Sequence, residues 1–149
     1  TTPLAETPQQ AAELDPLIIK ARTGRLREAV RALRPVDSLA PGPFRMEIQA
    51  MLDEMAEGLG VDVFTRQIRV LQRRRDQQSA LRKLRVPVTV LCGAHDITLP
   101  VKRHAFLAEL IPGARLEVIE DAGHLPPLEA PDAVSDAIRD WLQAPMLPR

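Results

Sequence analysis

The sequence has no tyrosine, one tryptophan and one cysteine, and its 20 basic and 20 acidic side chains give a formal net charge of zero. The lone Cys92 excludes a disulfide framework and a zinc site built on several thiolates. A net charge of zero gives no overall attraction to nucleic acid or to an anionic membrane. No apolar run approaches the roughly 20 residues that span a bilayer. We therefore predict a cytoplasmic protein with no membrane association and no nucleic-acid partner.

Residues 1–85 show the spacing of helices. Thr7 followed by Pro8 predicts a helix start, because a capping hydroxyl precedes a proline at the first helical position. Pro16 is expected to bend or restart that helix, and the prolines between residues 35 and 43 predict a loop. A methionine-rich amphipathic helix that closes near Gly58 and Gly60 is predicted from Met46, Ile48, Met51, Leu52, Met55 and Leu59. Apolar residues from Val61 to Leu71 then recur every three or four positions, which predicts one more helix.

The pattern changes at Val86. The run from Val86 to Cys92 is short, β-branched and almost entirely apolar, as expected of a strand that is buried on both faces. A helix over 100–111 and a second strand over 115–119 follow. The connection over residues 93–114 is long enough for a right-handed parallel crossover and too long for a hairpin. A last helix starts at Pro131, with a buried stripe predicted at Val134, Ile138, Trp141 and Leu142.

Two parallel strands do not form a stable sheet by themselves, and parallel sheets need helices on both faces. The strand from Val86 to Cys92 therefore requires further strands beside it, and the sequence offers no obvious candidates. We expect the 149 residues to be part of a larger fold.

Two side chains that can carry chemistry follow the two predicted strands. Asp96 comes directly after the first strand, and His124 comes shortly after the second. Functional side chains of open α/β sheets lie on loops at the carboxyl ends of strands, and a carboxylate there can orient a histidine and stabilise its imidazolium. Taken singly, Asp96 can be a cap of the following turn and His124 a structural loop residue. Taken together on adjacent strand ends, they favour an acid–base pair.

Three stretches, in order and properly spaced, resemble the C-terminal portion of an α/β-hydrolase. Val86–Asp96 resembles the strand and turn that bear the family's acid, Ile111–Ile119 resembles its final strand, and Gly123–Pro131 resembles its histidine loop. The resemblance implies an α/β fold class, with residues 86–149 as the C-terminal part of the hydrolase core and residues 1–85 as a helical cap. It also implies that Asp96 and His124 are catalytic, that the substrate is a small ester-like molecule and that no cofactor or metal takes part. Relatives of this layout also cleave carbon–carbon bonds, halides, epoxides or lactones, and these alternatives stay open because the nucleophile that separates several of them is absent from the sequence.

One element of the family is missing from this sequence, because no G-x-S-x-G nucleophile elbow occurs in it. Ser38, Ser79 and Ser135 are the only serines, and none is placed on a glycine-flanked turn. Cys92 lies within a strand, which favours a small buried hydrophobe over a nucleophile. The resemblance therefore implies that the nucleophile lies upstream of Thr1 and that the chain alone is inactive.

Other interpretations remain open. Met51, Met55 and Leu125 are candidates for lining a substrate pocket, although plain helix packing also explains the two methionines. Between Arg66 and Arg85 there are eight basic residues and one acid, which admits an RNA-binding module, but no aromatic side chain interleaves the charges to stack bases. A solvated helix face, or one paired with acidic residues, is favoured. A third alternative is a non-catalytic fragment that assembles with an N-terminal half of the fold, or with copies of itself, through the open sheet edge.

Overall fold

The computed structural model describes residues 2–145. Residue 1 of the predicted cap and residues 146–149 of the predicted core lie outside the described residues. The chain forms two compact units. The core unit comprises the described residues of 1–3, 37–42 and 77–149, and the helical unit comprises 4–36 and 43–76. The short segment 37–42 thus belongs to the core unit, although it lies in sequence between two parts of the helical unit.

The helical unit is built from α1 (Pro8–Glu13), α2 (Asp15–Arg22), α3 (Leu26–Leu33) and α4 (Arg45–Gln72). The predicted start at Thr7 is confirmed, since its hydroxyl accepts a hydrogen bond from the N–H of Gln10 at 3.2 Å and its own N–H donates to the Gln10 side chain at 2.9 Å. The restart at Pro16 is also confirmed. The apolar core of this unit consists of Ile18, Ala21, Ala29, Phe64 and Ile68.

The long helix α4 is two helices joined across a kink at Gly60, which confirms the predicted break near the glycines. The backbone of Gly60 is not helical, and its φ of 81° is left-handed and suits glycine. The apolar residues before the kink are only partly buried, since Ile48 is 7% exposed but Met46, Met55 and Leu59 are 66%, 56% and 55% exposed. The face with Asp53 is buried, and there the Arg31 guanidinium donates two hydrogen bonds to one oxygen of this carboxylate. A buried carboxylate needs such partners, and this pairing turns that face of α4 toward α3.

The core unit contains α5 (Gln78–Leu81), β1 (Thr89–Gly93), α6 (Val101–Leu110), β2 (Arg115–Ile119), α7 (Pro126–Glu129) and α8 (Pro131–Leu142), and a 3-10 turn precedes it at Val36–Ser38. Strands β1 and β2 pair in parallel, with Val90 opposite Leu116, which confirms the predicted crossover. The first strand begins at Thr89 rather than at Val86. Pro87 has no N–H to donate, and its carbonyl oxygen accepts a hydrogen bond from the Trp141 indole at 2.9 Å instead.

The predicted buried stripe of α8 is wrong. Ile138, Trp141 and Leu142 are 49%, 44% and 69% exposed, and Val134 is only half-buried. The described residues form a sheet of two strands, which offers too little surface to cover one whole face of this helix.

Candidate active site

The loops after β1 and β2 lie directly against each other. The N–H of His95 donates to the carbonyl oxygen of Ala122 at 2.9 Å. At Gly93, a Cβ atom would lie 2.3 Å from the carbonyl oxygens of both Ala122 and Gly123. Only glycine permits this approach of two backbones, so Gly93 sets the distance between the two loops.

Asp96 is buried in the loop after β1, with a side chain that is 4% exposed. Its Oδ1 atom accepts hydrogen bonds from the N–H groups of Thr98 at 2.8 Å and Leu99 at 2.9 Å. Its Oδ2 atom lies 2.8 Å from Nδ1 of His124. The turn cap and the histidine pair, which the sequence leaves as alternatives, are therefore both present, one on each oxygen.

His124 presents one ring nitrogen to Asp96 and keeps the other available. A carboxylate can only accept hydrogen bonds, so Nδ1 of a neutral imidazole facing it carries the proton and Nε2 is left with a lone pair. Within residues 2–145, Nε2 has no hydrogen-bond partner. The side chain is 14% exposed. The arrangement can therefore accept a proton at Nε2 while Asp96 balances the charge that forms.

The histidine loop is held by a residue to which the sequence gives no function. The Glu129 carboxylate, on α7, accepts hydrogen bonds from the N–H groups of Gly123 at 2.9 Å, Leu125 at 2.7 Å and Ala40 at 2.6 Å. Its only signal in the sequence is a carboxylate six positions after Gly123, within the stretch that resembles the family's histidine loop.

Neither Cys92 nor a serine of the core unit is presented as a nucleophile. Cys92 is 2% exposed, and burial, followed by the nearby negative charge of Asp96, raises the pKa of its thiol, which disfavours the nucleophilic thiolate. Ser38 lies beside His124 but is 1% exposed, and its carbonyl oxygen accepts the His124 N–H at 2.7 Å. Ser79 and Ser135 are exposed on the helices α5 and α8.

A second histidine, His104, is buried on α6 at 5% exposure. Burial lowers its pKa below the ordinary value of 6.5; the nearby charge on Asp96 opposes this shift, and His124 adds to it. The folded state thus favours the neutral ring. As the pH falls, the unfolded chain therefore binds a proton at His104 at a higher pH than the folded chain does.

We expect stability to be unaffected by this group above pH 6.5 and to fall as the pH drops below that value, because protons then bind preferentially to the unfolded chain. A His104→Gln variant should flatten this acid-side decline. Urea unfolding between pH 5 and 8, with the exposed His95→Gln as the matched control, measures it. If the free energy of unfolding fell equally with decreasing pH in the His104→Gln and His95→Gln variants, His104 would not be the group responsible for the decline.

The three predicted pocket residues fall in different parts of the molecule. Met51 and Met55 lie on α4 in the helical unit, whereas Leu125 is half-buried in the histidine loop of the core unit. Met55 lines a mostly apolar cavity of about 250 Å³ within the helical unit, together with Leu52 and Phe64, and Met51 does not line that cavity. A pocket function for these residues stays a prediction.

The basic stretch is divided between the two units, with residues 66–76 in the helical unit and residues 77–85 in the core unit. Two of its members pair with acids, Arg69 with Asp15 at 3.2 Å and Arg74 with Glu6 at 2.6 Å. Among residues 2–145, no group of three or more His, Cys, Asp or Glu side chains is placed to hold a metal ion. No helix in that range combines the length and apolar content needed to cross a bilayer.

Comparison with known proteins identifies the family. A family model described as the alpha/beta hydrolase family matches residues 3–137. The chain belongs to the α/β hydrolase family. This confirms the resemblance of the strand, turn and histidine loop, and it places the parallel pair β1–β2 in an α/β hydrolase fold.

Individual α/β hydrolases match this chain over part of their length. Over 65 residues it is 37% identical to a pimeloyl-[acyl-carrier protein] methyl ester esterase of Aromatoleum aromaticum, covering 44% of this chain and 26% of the esterase. A thermophilic esterase from Thermogutta terrifontis superposes with a TM-score of 0.83 at 25% identity, over 96% of this chain and 53% of that one. The enol-lactonase from Burkholderia xenovorans LB400 shares the fold, with a TM-score of 0.79 at 23% identity over 97% and 54% of the two chains. This α/β hydrolase chain thus spans about half the length of these solved relatives.

Proposed function

We propose that this chain supplies the acid and the histidine of a serine-type α/β hydrolase that cleaves esters or related carbonyl compounds. The observation that carries the proposal is the 2.8 Å contact between Nδ1 of His124 and Oδ2 of Asp96, in loops that follow two neighbouring parallel strands of a hydrolase fold. The similarity to two esterases supports an ester as the substrate class.

In the proposed reaction, Nε2 of His124 takes the proton of a serine hydroxyl while the serine oxygen attacks the substrate carbonyl. The same proton then passes to the leaving alcohol as the ester bond breaks. Nε2 next takes a proton from a water molecule, whose oxygen attacks the carbonyl carbon of the acyl-enzyme. As the bond to the serine oxygen breaks, Nε2 returns this proton to that oxygen, and the carboxylic acid is released. Asp96 holds the Nδ1–H tautomer throughout, and its two backbone N–H partners keep the carboxylate oriented.

The attacking serine is proposed to come from outside these 149 residues, since the sequence contains no G-x-S-x-G. The burial of Ser38 and the raised pKa of the Cys92 thiol support this assignment, because a nucleophile needs access to substrate and an activating base. We call the combination of this chain with a second polypeptide, carrying the upstream strands and a G-x-S-x-G elbow, the assembled hydrolase.

The exposed apolar surface of the core unit offers a place for that second polypeptide. Strand β1 pairs with β2 along one edge only among the described residues. On the face of β1 that carries Leu91, this residue and the side chains of Ile138 and Trp141 line an apolar groove of about 270 Å³. A further parallel strand beside β1 would extend the ladder and cover the exposed face of α8, which meets the general need of parallel sheets for covered faces.

Covalent labelling with a fluorophosphonate, which reacts with activated serines, tests the assignment of the nucleophile. In the assembled hydrolase we expect the label on the serine of the second polypeptide and none on this chain, as read by peptide mass spectrometry. His124→Ala should slow labelling by about 10²–10⁴-fold, because the general base is lost. His95→Ala, which removes an exposed imidazole from the neighbouring loop, is the matched control and should label normally. A label on Ser38, Ser79, Ser135 or Cys92 would overturn the proposal.

A further inference from the structure

Two segments far apart in sequence lie in backbone contact at the histidine loop. The N–H of His124 donates to the carbonyl oxygen of Ser38 at 2.7 Å. A Cβ atom on Gly123 would lie 2.3 Å from that same oxygen and 2.7 Å from the N–H nitrogen of Ala40. The segment from Ser38 to Ala40 is therefore packed, backbone to backbone, against the residues that flank the histidine.

A single carboxylate joins the two segments. Oε2 of Glu129 accepts the N–H groups of Gly123 and Ala40, and Oε1 accepts the N–H of Leu125. The bonds therefore reach the residues immediately before and after His124. Charge-assisted hydrogen bonds of this length are the stronger class, and a half-buried carboxylate with three N–H partners is well satisfied.

We propose that Glu129 is the positioning residue of His124: it fixes the backbone on both sides of the histidine, against the Ser38–Ala40 segment, and so directs Nδ1 at Asp96. The importance of this for catalysis rests on the proposed function, but the positioning itself does not. Glu129 does not touch the imidazole, so its effect on the ring passes through the backbone of Gly123 and Leu125.

The backbone on both sides must be fixed because the ring has little tolerance for displacement. The 2.8 Å contact joins the side chain of His124 to an Asp96 carboxylate that its own turn already holds. Reacting groups have to stay within about 0.5 Å of their working geometry. A Glu129→Gln side chain has one oxygen and an NH₂ group, so it cannot accept three N–H groups and brings two donors face to face.

The test compares Glu129→Gln with Glu109→Gln, which removes an exposed carboxylate from α6 of the same unit. In ¹⁵N spectra of the histidine side chains of the full chain, we expect His124 to show one Nδ1–H tautomer in the wild type and in Glu109→Gln. Glu129→Gln should show a mixture of the two tautomers. The backbone amides of Gly123, Leu125 and Ala40 should exchange about 10- to 100-fold faster in that variant. A Glu129→Gln variant that is folded and keeps the single tautomer would overturn the positioning function and leave only a structural one.

A wild-type measurement keeps the proposal testable if Glu129→Gln does not fold. Those three amides should be protected from exchange although they lie in loops, and exchange at the rate of open loops would equally overturn the proposal. In the assembled hydrolase, Glu129→Gln should lower kcat by about 10²-fold with little change in KM. A tautomer change without any activity of the wild-type assembly would reject the proposed function and leave the positioning of His124 intact.

Discussion

Replacing His124 with alanine is expected to lower kcat for p-nitrophenyl ester hydrolysis by the assembled hydrolase by about 10²–10⁴-fold, the usual contribution of a general base. Asp96→Asn should lower the same kcat by about 10⁴-fold. The asparagine can keep its Oδ1 acceptor toward Thr98 and Leu99 and so preserve the turn. Its NH₂ group then faces Nδ1 of His124 and favours the wrong tautomer.

This pair of variants separates the two functions of the Asp96 carboxylate. If Asp96 only capped its turn, Asp96→Asn would be nearly as active as the wild type, because the cap survives. His95→Ala serves as the control, since among the described residues this exposed imidazole makes no hydrogen bond or ion pair with Asp96 or His124, and its loss should leave kcat unchanged. Full activity of Asp96→Asn would contradict the acid assignment, and full activity of His124→Ala would contradict the base assignment.

Alanine at Gly93 or at Gly123 is expected to destabilise the core unit by about 3 kcal/mol, the upper part of the range for overpacking. At both positions a Cβ would lie 2.3 Å from a backbone oxygen, and backbone cannot move aside as a flexible side chain can. The clash separates the Asp96 loop from the histidine loop in Gly93→Ala, and the histidine loop from the Ser38–Ala40 segment in Gly123→Ala.

Urea unfolding followed by tryptophan fluorescence measures this effect, because Trp141 is the only tryptophan and lies in the core unit. Gly42→Ala is the matched control. This glycine belongs to the same unit, has no left-handed φ, and an added Cβ would have no neighbour within 4 Å. Equal unfolding midpoints for Gly93→Ala, Gly123→Ala and Gly42→Ala would show that the loops do not approach as closely as described.

The sequence predicts the parallel strand pair and the meeting of Asp96 with His124, because both depend on local patterns. A β-branched apolar run marks β1, and a connection of crossover length makes β2 its parallel neighbour. Residues that follow neighbouring parallel strands then emerge at one edge, whatever the rest of the fold does. The break of α4 at Gly60 is predicted for the same reason, since a glycine is a local determinant.

Features that depend on distant partners are not predicted. The periodicity of α8 identifies its apolar face but not whether a sheet covers it, so the predicted burial of Ile138 and Trp141 fails. The function of Glu129 leaves almost no signal, because its partners are backbone N–H groups, which every residue except proline carries. Nothing about Ala40 in the sequence indicates that a carboxylate 89 positions later binds it.

The most direct test of the central claim is ester turnover by the chain alone and by the assembled hydrolase, measured under the same conditions with a p-nitrophenyl ester. The account predicts no turnover by the chain alone above that of the His124→Ala chain, and turnover in the assembly that His124→Ala removes. Turnover by the isolated chain that depends on His124 would contradict it, because a nucleophile would then reside within these 149 residues.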